Sequence, residues 1–355
     1  MSTVPIWLDV DTGIDDALAL ALACASPELE LVGVSCVAGN VPLEDVVANT
    51  LAVLSLAGRA DVPVHAGAIA PLARPLRTTP ETHGPRGLGH AVTPEVAAGV
   101  TSTDAVGAIL DASHRFAEEL VLVTLGPLTN LALALRSDSS LPARLARTSI
   151  MAGTFRNVGN TAPRTEWNVH VDPEALREVL AAWGRAAEVG SVTLPLVMGL
   201  DVTEGARLLP GHLAEVRVRA GLRSAASGDE LRGGSGSPLV DLLEEALRFY
   251  FEFHAEYDGF YGAFIHDPFV VAATFLPDLV AAAATTVDVE LRGELTLGET
   301  VPDWRGHWGR VPNARVATSG DAGRFVDLLV DRLASLAAAD GGISVPPAPS
   351  AAERD

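Results

Sequence analysis

The chain has 355 residues, of which 48% are hydrophobic and 20% charged, and this balance predicts a folded globular protein. Its formal net charge is -20, with 25 basic against 45 acidic residues, so the chain repels nucleic-acid phosphates and anionic lipid headgroups. All 25 basic residues are Arg, which excludes Schiff-base catalysis and any phosphate site that depends on Lys. We therefore expect neither a nucleic acid nor a membrane as partner.

The cysteines and the N-terminus indicate the compartment. Cys24 and Cys36 are the only two cysteines, and both lie in apolar segments, which predicts buried thiols in a reducing environment. No signal-peptide core precedes Asp9, and the apolar run 268–287 is interrupted by a Pro-Asp pair. These observations predict a soluble, cytoplasmic protein.

Short β-branched runs alternate along the chain with Ala-rich and Leu-rich segments of helical length. In chain order, the strands and helices expected from this pattern are 4–10, 15–25, 29–38, 43–57, 119–125, 127–136, 148–153, 173–183 and 191–198. Strands that alternate with helices in this way form a parallel sheet covered by helices on both faces. We predict an α/β fold with a mostly parallel central sheet flanked by helices.

Two segments lack this periodicity. The stretch 220–238 is rich in Gly and Ser and predicts a surface loop, which a helix expected over 239–254 follows. The tail 341–355 is rich in Pro, Ala and Ser, and this composition predicts disorder. We expect one domain over residues 1–340, followed by a disordered C-terminal tail over 341–355.

Four carboxylates, Asp9, Asp11, Asp15 and Asp16, fall within eight positions where the first strand gives way to the first helix. Helix N-terminal amides favour an ionised Asp by about 0.3–1 kcal/mol each, too little to offset repulsion among several carboxylates within about 4–6 Å. A bound cation resolves this repulsion, and ligation by oxygen alone favours a hard ion, Ca²⁺ before Mg²⁺. The alternative is that the last two carboxylates cap the helix while the first two are solvated.

A different enzyme class also ends a strand in two aspartates at this spacing. In a phosphatase of the haloacid dehalogenase type, Asp9 would be the nucleophile and Asp11 the acid. That motif places Gly directly after the second Asp, where this chain has Thr12, and it needs a Lys that binds phosphate. The sequence therefore disfavours this alternative.

Six segments of the chain match a known set of motifs in the same order. They are DVDTGIDDALAL (9–20), AGN ending at Asn40, HGPRGLG (83–89), TLGPLTNLALA (124–134), GNTAPRTEWNVHVDPEA (159–175) and HDP (266–268). With these segments the chain resembles the inosine-uridine preferring nucleoside hydrolase family over most of residues 4–318. The resemblance implies the nucleoside hydrolase fold, a single Rossmann-like domain, and the hydrolysis of ribonucleosides to ribose and a free base.

The resemblance also implies one Ca²⁺ site. Asp11, Asp16 and Asp267 would ligate the ion together with the backbone carbonyl of Leu125, and Asp11 would also activate the metal-bound water. Leu125 stands where the family often has Thr, but this contact uses the backbone and tolerates the change. The displacement would proceed in one step with inversion, and the protein would be a homodimer or a homotetramer.

Contacts with the sugar follow from the same resemblance. Asp15 and Asn168 would hold ribose hydroxyls, whereas Asn160 and Glu166 would bind the 5′-OH end. Asn40 would lie beside the nucleophilic water. Because cleavage of an N-ribosidic bond develops positive charge on the sugar, a carboxylate-rich pocket stabilises the transition state more than the neutral substrate.

The base side of the site is less specified by motifs. His266, with an unperturbed pKa of about 6.5, would donate a proton to the leaving base, and His83 would lie near the base. The alternative for His266 is a buried residue that caps a helix over 267–275. Tyr250 and His254 lie four positions apart and could reach over the base. No motif predicts a preference for purine or pyrimidine bases.

Other residues receive supporting roles. The resemblance implies that Asp9 supports the metal-binding loop, and strand alternation around Trp167 predicts that its side chain packs in the core while its two neighbours face the ligand. The strands that end near Asp9, Val37 and Ala152 would bring the motifs to one carboxyl edge of the sheet. We expect a single site at that edge.

A second hypothesis keeps the fold, the metal and the ribose contacts. It makes the protein a non-catalytic, Ca²⁺-dependent nucleoside-binding or ribose-binding protein. The presence of Asp11 and His266 argues against it, because binding alone needs neither a base nor an acid. The sequence therefore favours the enzyme.

Overall fold

The computed structural model describes residues 3–190, 192–223 and 234–340. Its strands are β1 (Val4–Val10), β2 (Leu29–Cys36), β3 (Val64–Ala66), β4 (Val121–Thr124), β5 (Arg147–Met151), β6 (Leu196–Met198), β7 (Arg207–Leu208), β8 (Ala263–Phe264), β9 (Val280–Thr285), β10 (Val287–Val289), β11 (Thr300–Pro302) and β12 (Ala314–Gly320). Its α-helices are α1 (Ile14–Ala25), α2 (Leu43–Leu56), α3 (Pro80–His83), α4 (Ala105–Arg115), α5 (Thr129–Ser137), α6 (Leu141–Arg144), α7 (Trp167–Val171), α8 (Pro173–Val189), α9 (Leu200–Thr203), α10 (Pro210–Arg219), α11 (Pro238–Tyr257), α12 (Asp267–Phe275) and α13 (Ala322–Asp340). The predicted tail 341–355 and the central part of the predicted loop 220–238 lie outside the described residues.

Eight strands form the central sheet, in the order β3-β2-β1-β4-β5-β6-β12-β9. All neighbouring pairs are parallel except β12 and β9, which are antiparallel. At the centre, Leu8 of β1 pairs with Val34 of β2 and with Val123 of β4. The first six strands have the doubly wound order, in which the direction of winding reverses between β1 and β4. The predicted α/β fold with a mostly parallel sheet is confirmed.

One predicted strand is shorter than expected. The pattern predicts a strand over 191–198, but β6 covers only Leu196–Met198. Pro195 directly precedes it, and because proline has no N–H to donate, it cannot extend the ladder in the middle of a sheet.

The central sheet is buried on both faces. Ile6, Leu8 and Val10 of β1 pack in one apolar core, to which α1, α11, α12 and α13 contribute. Trp7 points to the opposite face and packs in a second core with residues of α4, α5 and α8. Burial of alternate residues on both sides explains why β1 is a continuous hydrophobic run, as in other parallel sheets.

Both cysteines lie among the described residues, and neither forms a disulfide. Cys36 is buried and Cys24 partly buried, and both thiols are free. Burial raises the pKa of each thiol to about 12, so both are protonated at neutral pH and act as small apolar side chains.

Among the described helices, none combines the length and the apolar composition needed to cross a membrane.

A buried polar network joins the ends of β1 and β2 to α5. Ser35 Oγ donates to Asp9 Oδ1 over 2.5 Å, and Asn130 Nδ2 donates to the same oxygen over 2.8 Å. Asn130 also donates to the carbonyl of Cys36 and accepts from the amide of Ala68. This one amide therefore ties three segments together at the carboxyl edge of the sheet, beside the carboxylate that the sequence assigned a supporting role.

We predict that Asn130→Ala lowers the free energy of unfolding by about 3 kcal/mol. The change leaves the buried Asp9 carboxylate and the Cys36 carbonyl without a donor that they use in the wild type. Urea denaturation followed by circular dichroism measures the effect. Ser137→Ala, an exposed change on the same helix, is the control and should cost less than about 0.5 kcal/mol. Equal losses in the two variants would contradict the network's role.

Candidate functional site

A cavity of about 460 Å³ opens above the carboxyl ends of β1, β4 and β5. This edge of the sheet contains the point between β1 and β4 where ligands bind in doubly wound folds, and the volume suits a small molecule. Its lining includes ten predicted site residues, namely Asp11, Asp15, Asn40, His83, Leu125, Asn160, Glu166, Asn168, His266 and Asp267. Asp16, the remaining predicted residue, lies directly beside them.

Three buried carboxylates meet at the floor of the cavity. Oxygens of Asp15, Asp16 and Asp267 all lie within 4.8 Å of one another. Asp15 and Asp16 occupy the first turn of α1 and Asp267 begins α12, so the positive ends of two helix dipoles converge on the cluster. Such a donor set fits a hard cation, because each ligand atom is a carboxylate oxygen.

The electrostatics of the cluster point to the same need for a cation. Burial and neighbouring carboxylates raise the pKa of Asp15 to about 7, and they raise the pKa of Asp267 well above its usual range. Burial also raises the pKa of Asp16 to about 6, although backbone amides of Gly13 and Asp11 donate to its carboxylate. Without a positive charge, these groups cannot all be ionised at neutral pH.

The grouping of carboxylates differs in one detail from the implied ligand set. The resemblance assigns Asp15 to ribose and Asp11 to the metal, whereas the three mutually close carboxylates are Asp15, Asp16 and Asp267. Asp11 belongs to the same buried acidic region, since burial raises its pKa well above the usual range and the charges of Asp16 and Asp15 raise it further. The exact ligand set therefore stays a prediction.

Asp11 is held in place by tight backbone contacts. Its Oδ2 accepts from the amide of Asn40 over 2.8 Å. A Cβ at Gly126 would lie 2.7 Å from Asp11 Oδ1, and a Cβ at Gly39 would overlap Asp11 Oδ2. Both positions therefore require glycine, which gives a physical reason for the Gly in two of the six motifs.

Asn40 links two carboxylates and keeps one oxygen free of protein partners. Its Nδ2 donates to Asp16 Oδ2 over 3.3 Å, while its backbone amide binds Asp11. Its Oδ1 is buried and has no hydrogen-bond partner among the described residues. This free acceptor lies in the cavity lining, where the sequence places the attacking water.

The 159–175 motif forms one wall of the cavity. Glu166 is the N-terminal cap of α7, and its carboxylate accepts from the amides of Gly153, Asn168 and Val169. Burial raises the pKa of Glu166 to about 7. Asn160 Oδ1 accepts from the amide of residue 167 over 3.0 Å, so the side chains predicted to bind the 5′-OH end also shape this turn.

Asn168 reaches the carbonyl that was predicted to bind the metal. Its Nδ2 donates to the Leu125 carbonyl over 2.5 Å and to the Met151 carbonyl over 3.1 Å. Because Asn168 touches the ends of both β4 and β5, it connects this wall to the cavity floor.

The prediction that Trp167 packs in the core is wrong. Residue 167 begins α7 rather than continuing a strand, so the alternation on which the prediction depended does not apply. Trp167 is partly exposed and lines the cavity. Its indole Nε1 has no hydrogen-bond partner among the described residues.

The two predicted histidines are neutral at pH 7. Burial lowers the pKa of His83 and of His266 to about 3, well below the unperturbed value of about 6.5 expected for His266 from sequence. The Ile14 amide donates to His83 Nδ1 over 3.1 Å, so the proton of this ring lies on Nε2. His266 Nδ1 lies 2.8 Å from Thr203 Oγ1. The His266 side chain makes no capping hydrogen bond to α12, which disfavours the capping alternative.

Sequence reasoning missed two acidic residues that line the cavity, Glu204 and Asp258. Glu204 follows α9, and burial together with the charges of Asp258 and Asp201 raises its pKa to about 7. Glu204 and Asp258 both line the cavity. Neither residue lies in a matched motif, but the position of Glu204 shortly after the end of β6 at the carboxyl edge is a signal that could have found it.

The family model and two curated proteins that match this chain are those of nucleoside hydrolases. The family model for inosine-uridine preferring nucleoside hydrolases matches residues 6–327. The pyrimidine-specific ribonucleoside hydrolase RihA of Escherichia coli O9:H4 (strain HS) is 38% identical over 332 residues, which cover 93% of this chain and 98% of that protein. RihA of Escherichia coli (strain K12) is 37% identical over the same coverage.

Solved structures of related proteins have the same fold. The purine-preferring ribonucleoside hydrolase from Gardnerella vaginalis superposes with a TM-score of 0.83 and 27% identity, covering 94% of this chain and 99% of that one. The plant nucleoside hydrolase PpNRh1 gives a TM-score of 0.79 and 28% identity over the same coverage. These matches favour neither the haloacid dehalogenase alternative nor a protein that only binds.

We predict that Gly126→Ala weakens the binding of a divalent cation at the carboxylate cluster by about 10- to 100-fold, because the new Cβ displaces Asp11. Isothermal titration calorimetry with Ca²⁺ measures this change. Gly99→Ala is the matched control, since nothing lies within 4 Å of its new Cβ. Unchanged affinity in Gly126→Ala would show that Asp11 is not part of the cation site.

Proposed function

Because the chain belongs to the inosine-uridine preferring nucleoside hydrolase family, we propose that it hydrolyses pyrimidine ribonucleosides with the help of a bound Ca²⁺. The observation that carries the proposal is the group of three buried carboxylates, Asp15, Asp16 and Asp267, at the floor of a nucleoside-sized cavity. The pyrimidine preference is supported by the relative that is 38% identical and pyrimidine-specific. The products are ribose and the free base.

Four groups would hold the ion. They are the carboxylates of Asp11, Asp16 and Asp267 and the backbone carbonyl of Leu125, which all lie at the cavity floor. When bound, Ca²⁺ would neutralise the cluster, orient the ribose hydroxyls and lower the pKa of the attacking water. Oxygen ligands alone and the absence of a cysteine or histidine from the group favour Ca²⁺ over softer metals.

The protein's own residues would position the sugar and the water. Asp15 and Asn168 bind ribose hydroxyls, and Asn160 with Glu166 binds the 5′-OH end. The free Oδ1 of Asn40 accepts a hydrogen bond from the attacking water, and its lack of another partner among the described residues supports this placement beside the nucleophile. The shared location of these residues on two walls and the floor of one cavity supports this assignment.

Asp11 would act as the general base. It takes the proton from the attacking water as the N-ribosidic bond breaks, and the buried carboxylates stabilise the positive charge of the oxocarbenium-like transition state. The attack occurs in one step on the sugar face opposite the base, which gives inversion. The backbone contact with Asn40 and the close packing of two glycines support this role, because they fix the direction of the carboxylate.

His266 would assist the departure of the base. Because burial keeps its ring neutral in the resting site, His266 would stabilise the negative charge on the base by a hydrogen bond, or by taking up a proton from solvent and passing it to the base. His83 carries its proton on Nε2 and would donate a hydrogen bond beside the base. We further propose that the protein acts in the cytoplasm, which its two free cysteines favour, and that it forms a homodimer or homotetramer, as the family resemblance implies.

Substrate preference tests the proposal directly. Purified protein is incubated with uridine, cytidine, inosine and adenosine, with Ca²⁺ or with a chelator, and released ribose is measured. We expect kcat/KM for the two pyrimidine ribosides to exceed that for the purine ribosides by at least about tenfold, a difference of about 1.4 kcal/mol. A chelator should abolish turnover and added Ca²⁺ should restore it. A preference for inosine would instead favour the activity of the purine-preferring structural neighbour.

The role of Asp11 as base predicts a large loss of kcat on Asp11→Asn. We expect a decrease of roughly 10²- to 10⁴-fold, because the amide cannot accept the proton of the water. Thermal unfolding should show that the variant is folded. Asp45→Asn changes a carboxylate on α2 outside the cavity and serves as the control. Retained turnover in Asp11→Asn would refute the assignment.

A further inference from the structure

A histidine and a carboxylate form a pair at the end of α11. His254 Nδ1 lies 2.7 Å from Asp258 Oδ2, and both residues line the cavity. A carboxylate at neutral pH only accepts hydrogen bonds, so the ring nitrogen that faces it carries the proton. In a neutral imidazole the other nitrogen, Nε2, is then a hydrogen-bond acceptor.

The acceptor nitrogen of His254 is buried without a protein partner. The residue is only 4% exposed, and Nε2 has no hydrogen-bond partner among the described residues. Buried polar atoms are nearly always paired, so a lone buried acceptor on a residue that lines the cavity is a candidate partner for a donor on the ligand. Burial also lowers the pKa of His254 despite the opposing effect of Asp258, which keeps the ring neutral.

Aromatic neighbours fix the orientation of this ring. The His254 ring centroid lies 4.6 Å from that of Tyr250, 5.1 Å from that of Phe264 and 5.6 Å from that of Phe260. The Phe253 ring packs edge-on at 5.2 Å. Four rings and one carboxylate thus leave the imidazole little freedom to turn.

Asp258 carries its negative charge at an electrostatically unfavourable position. It is the C-terminal cap of α11, where the helix dipole disfavours a negative charge by roughly 0.3–1 kcal/mol. Its side chain is 39% exposed, so packing does not require an acid there. Holding the proton on His254 Nδ1 is a role that this carboxylate performs in the structure.

We propose that His254 Nε2 accepts a hydrogen bond from an N–H on the edge of the pyrimidine that faces away from the ribose, either N3–H of uracil or the 4-amino group of cytosine. Asp258 is the positioning residue that sets the tautomer. The inference rests on the proposed function and deepens it. The aromatic wall around His254 suits a flat base, whereas the carboxylates and amides that suit ribose hydroxyls lie on the floor and the opposite wall.

Nitrogen NMR of protein with isotopically labelled histidine tests the tautomer without any turnover. The His254 signals are assigned by their loss in His254→Phe. We expect Nδ1 to be protonated and Nε2 to be unprotonated in the wild type, and Asp258→Ala to shift this balance. A proton found on Nε2 in the wild type would overturn the proposal.

Substrate analogues test the contact itself. Uridine is compared with 3-deazauridine, in which C–H replaces N3–H, and cytidine with pyrimidin-2-one riboside, which lacks the amino group. We expect the wild type to discriminate within one of these pairs by about 10- to 100-fold in kcat/KM beyond the discrimination of His254→Phe. The analogues differ in leaving-group strength, but this difference cancels between wild type and variant. His254→Gln, whose amide oxygen can accept, should recover part of the discrimination.

The test has one control variant and two negative results that lead to different conclusions. His114→Phe replaces an exposed histidine on α4 outside the cavity and should leave the discrimination of both pairs at the wild-type value. Equal ratios in wild type and His254→Phe for both pairs, with normal turnover of uridine or cytidine, would refute the inference alone. Failure of the wild type to hydrolyse either pyrimidine riboside would refute the proposed substrate and, with it, this contact.

Discussion

The burial of several carboxylates at one point is the constraint on which the site depends. Asp15, Asp16 and Asp267 begin two helices that converge above the sheet, and neither helix dipole nor backbone amide supplies enough positive charge to ionise all of them. Nearby amide side chains donate hydrogen bonds to the acids of this region but carry no positive charge. Asn40 bridges two acids, and Asn130 supports the carboxylate at the end of β1. The proposed cation would complete this arrangement, and the proposed transition state, with positive charge on the ribosyl group, would be stabilised by the same negative charge.

The fold could be predicted from the sequence, and so could the common location of the motif residues, because both follow from the order and the ends of the strands. Strand and helix alternation gives a parallel sheet, and residues that directly follow parallel strands must meet at one edge. Asp11 after β1 and Leu125 after β4 lie at the cavity floor for that reason. The order of the strands and the antiparallel edge strand β9 depend on long-range packing, which no local pattern shows.

The features that could not be predicted from the sequence depend on which side chains are buried and on which partners they contact. Burial lowers the pKa of His266, and the neighbouring His254 and His83 lower it further, neither of which the sequence can show. Trp167 was misplaced because a short helix replaced the expected strand. The His254 and Asp258 pair lies at a helix end outside every matched motif, and only the structure shows that no described residue pairs with His254 Nε2.

Gly39 and Gly126 enclose Asp11 so closely that no other residue fits at either position without moving the carboxylate. The outer wall, formed by the end of α11 and the segment after it, lies on other elements than these two glycines, and the Asp258 side chain at that end is 39% exposed. We infer that substitutions on that wall can alter which nucleobase is accepted without moving Asp11, whereas a side chain at either glycine cannot be added without moving it. Relatives with opposite base preferences and one shared fold are the expected outcome of so uneven a mutational tolerance.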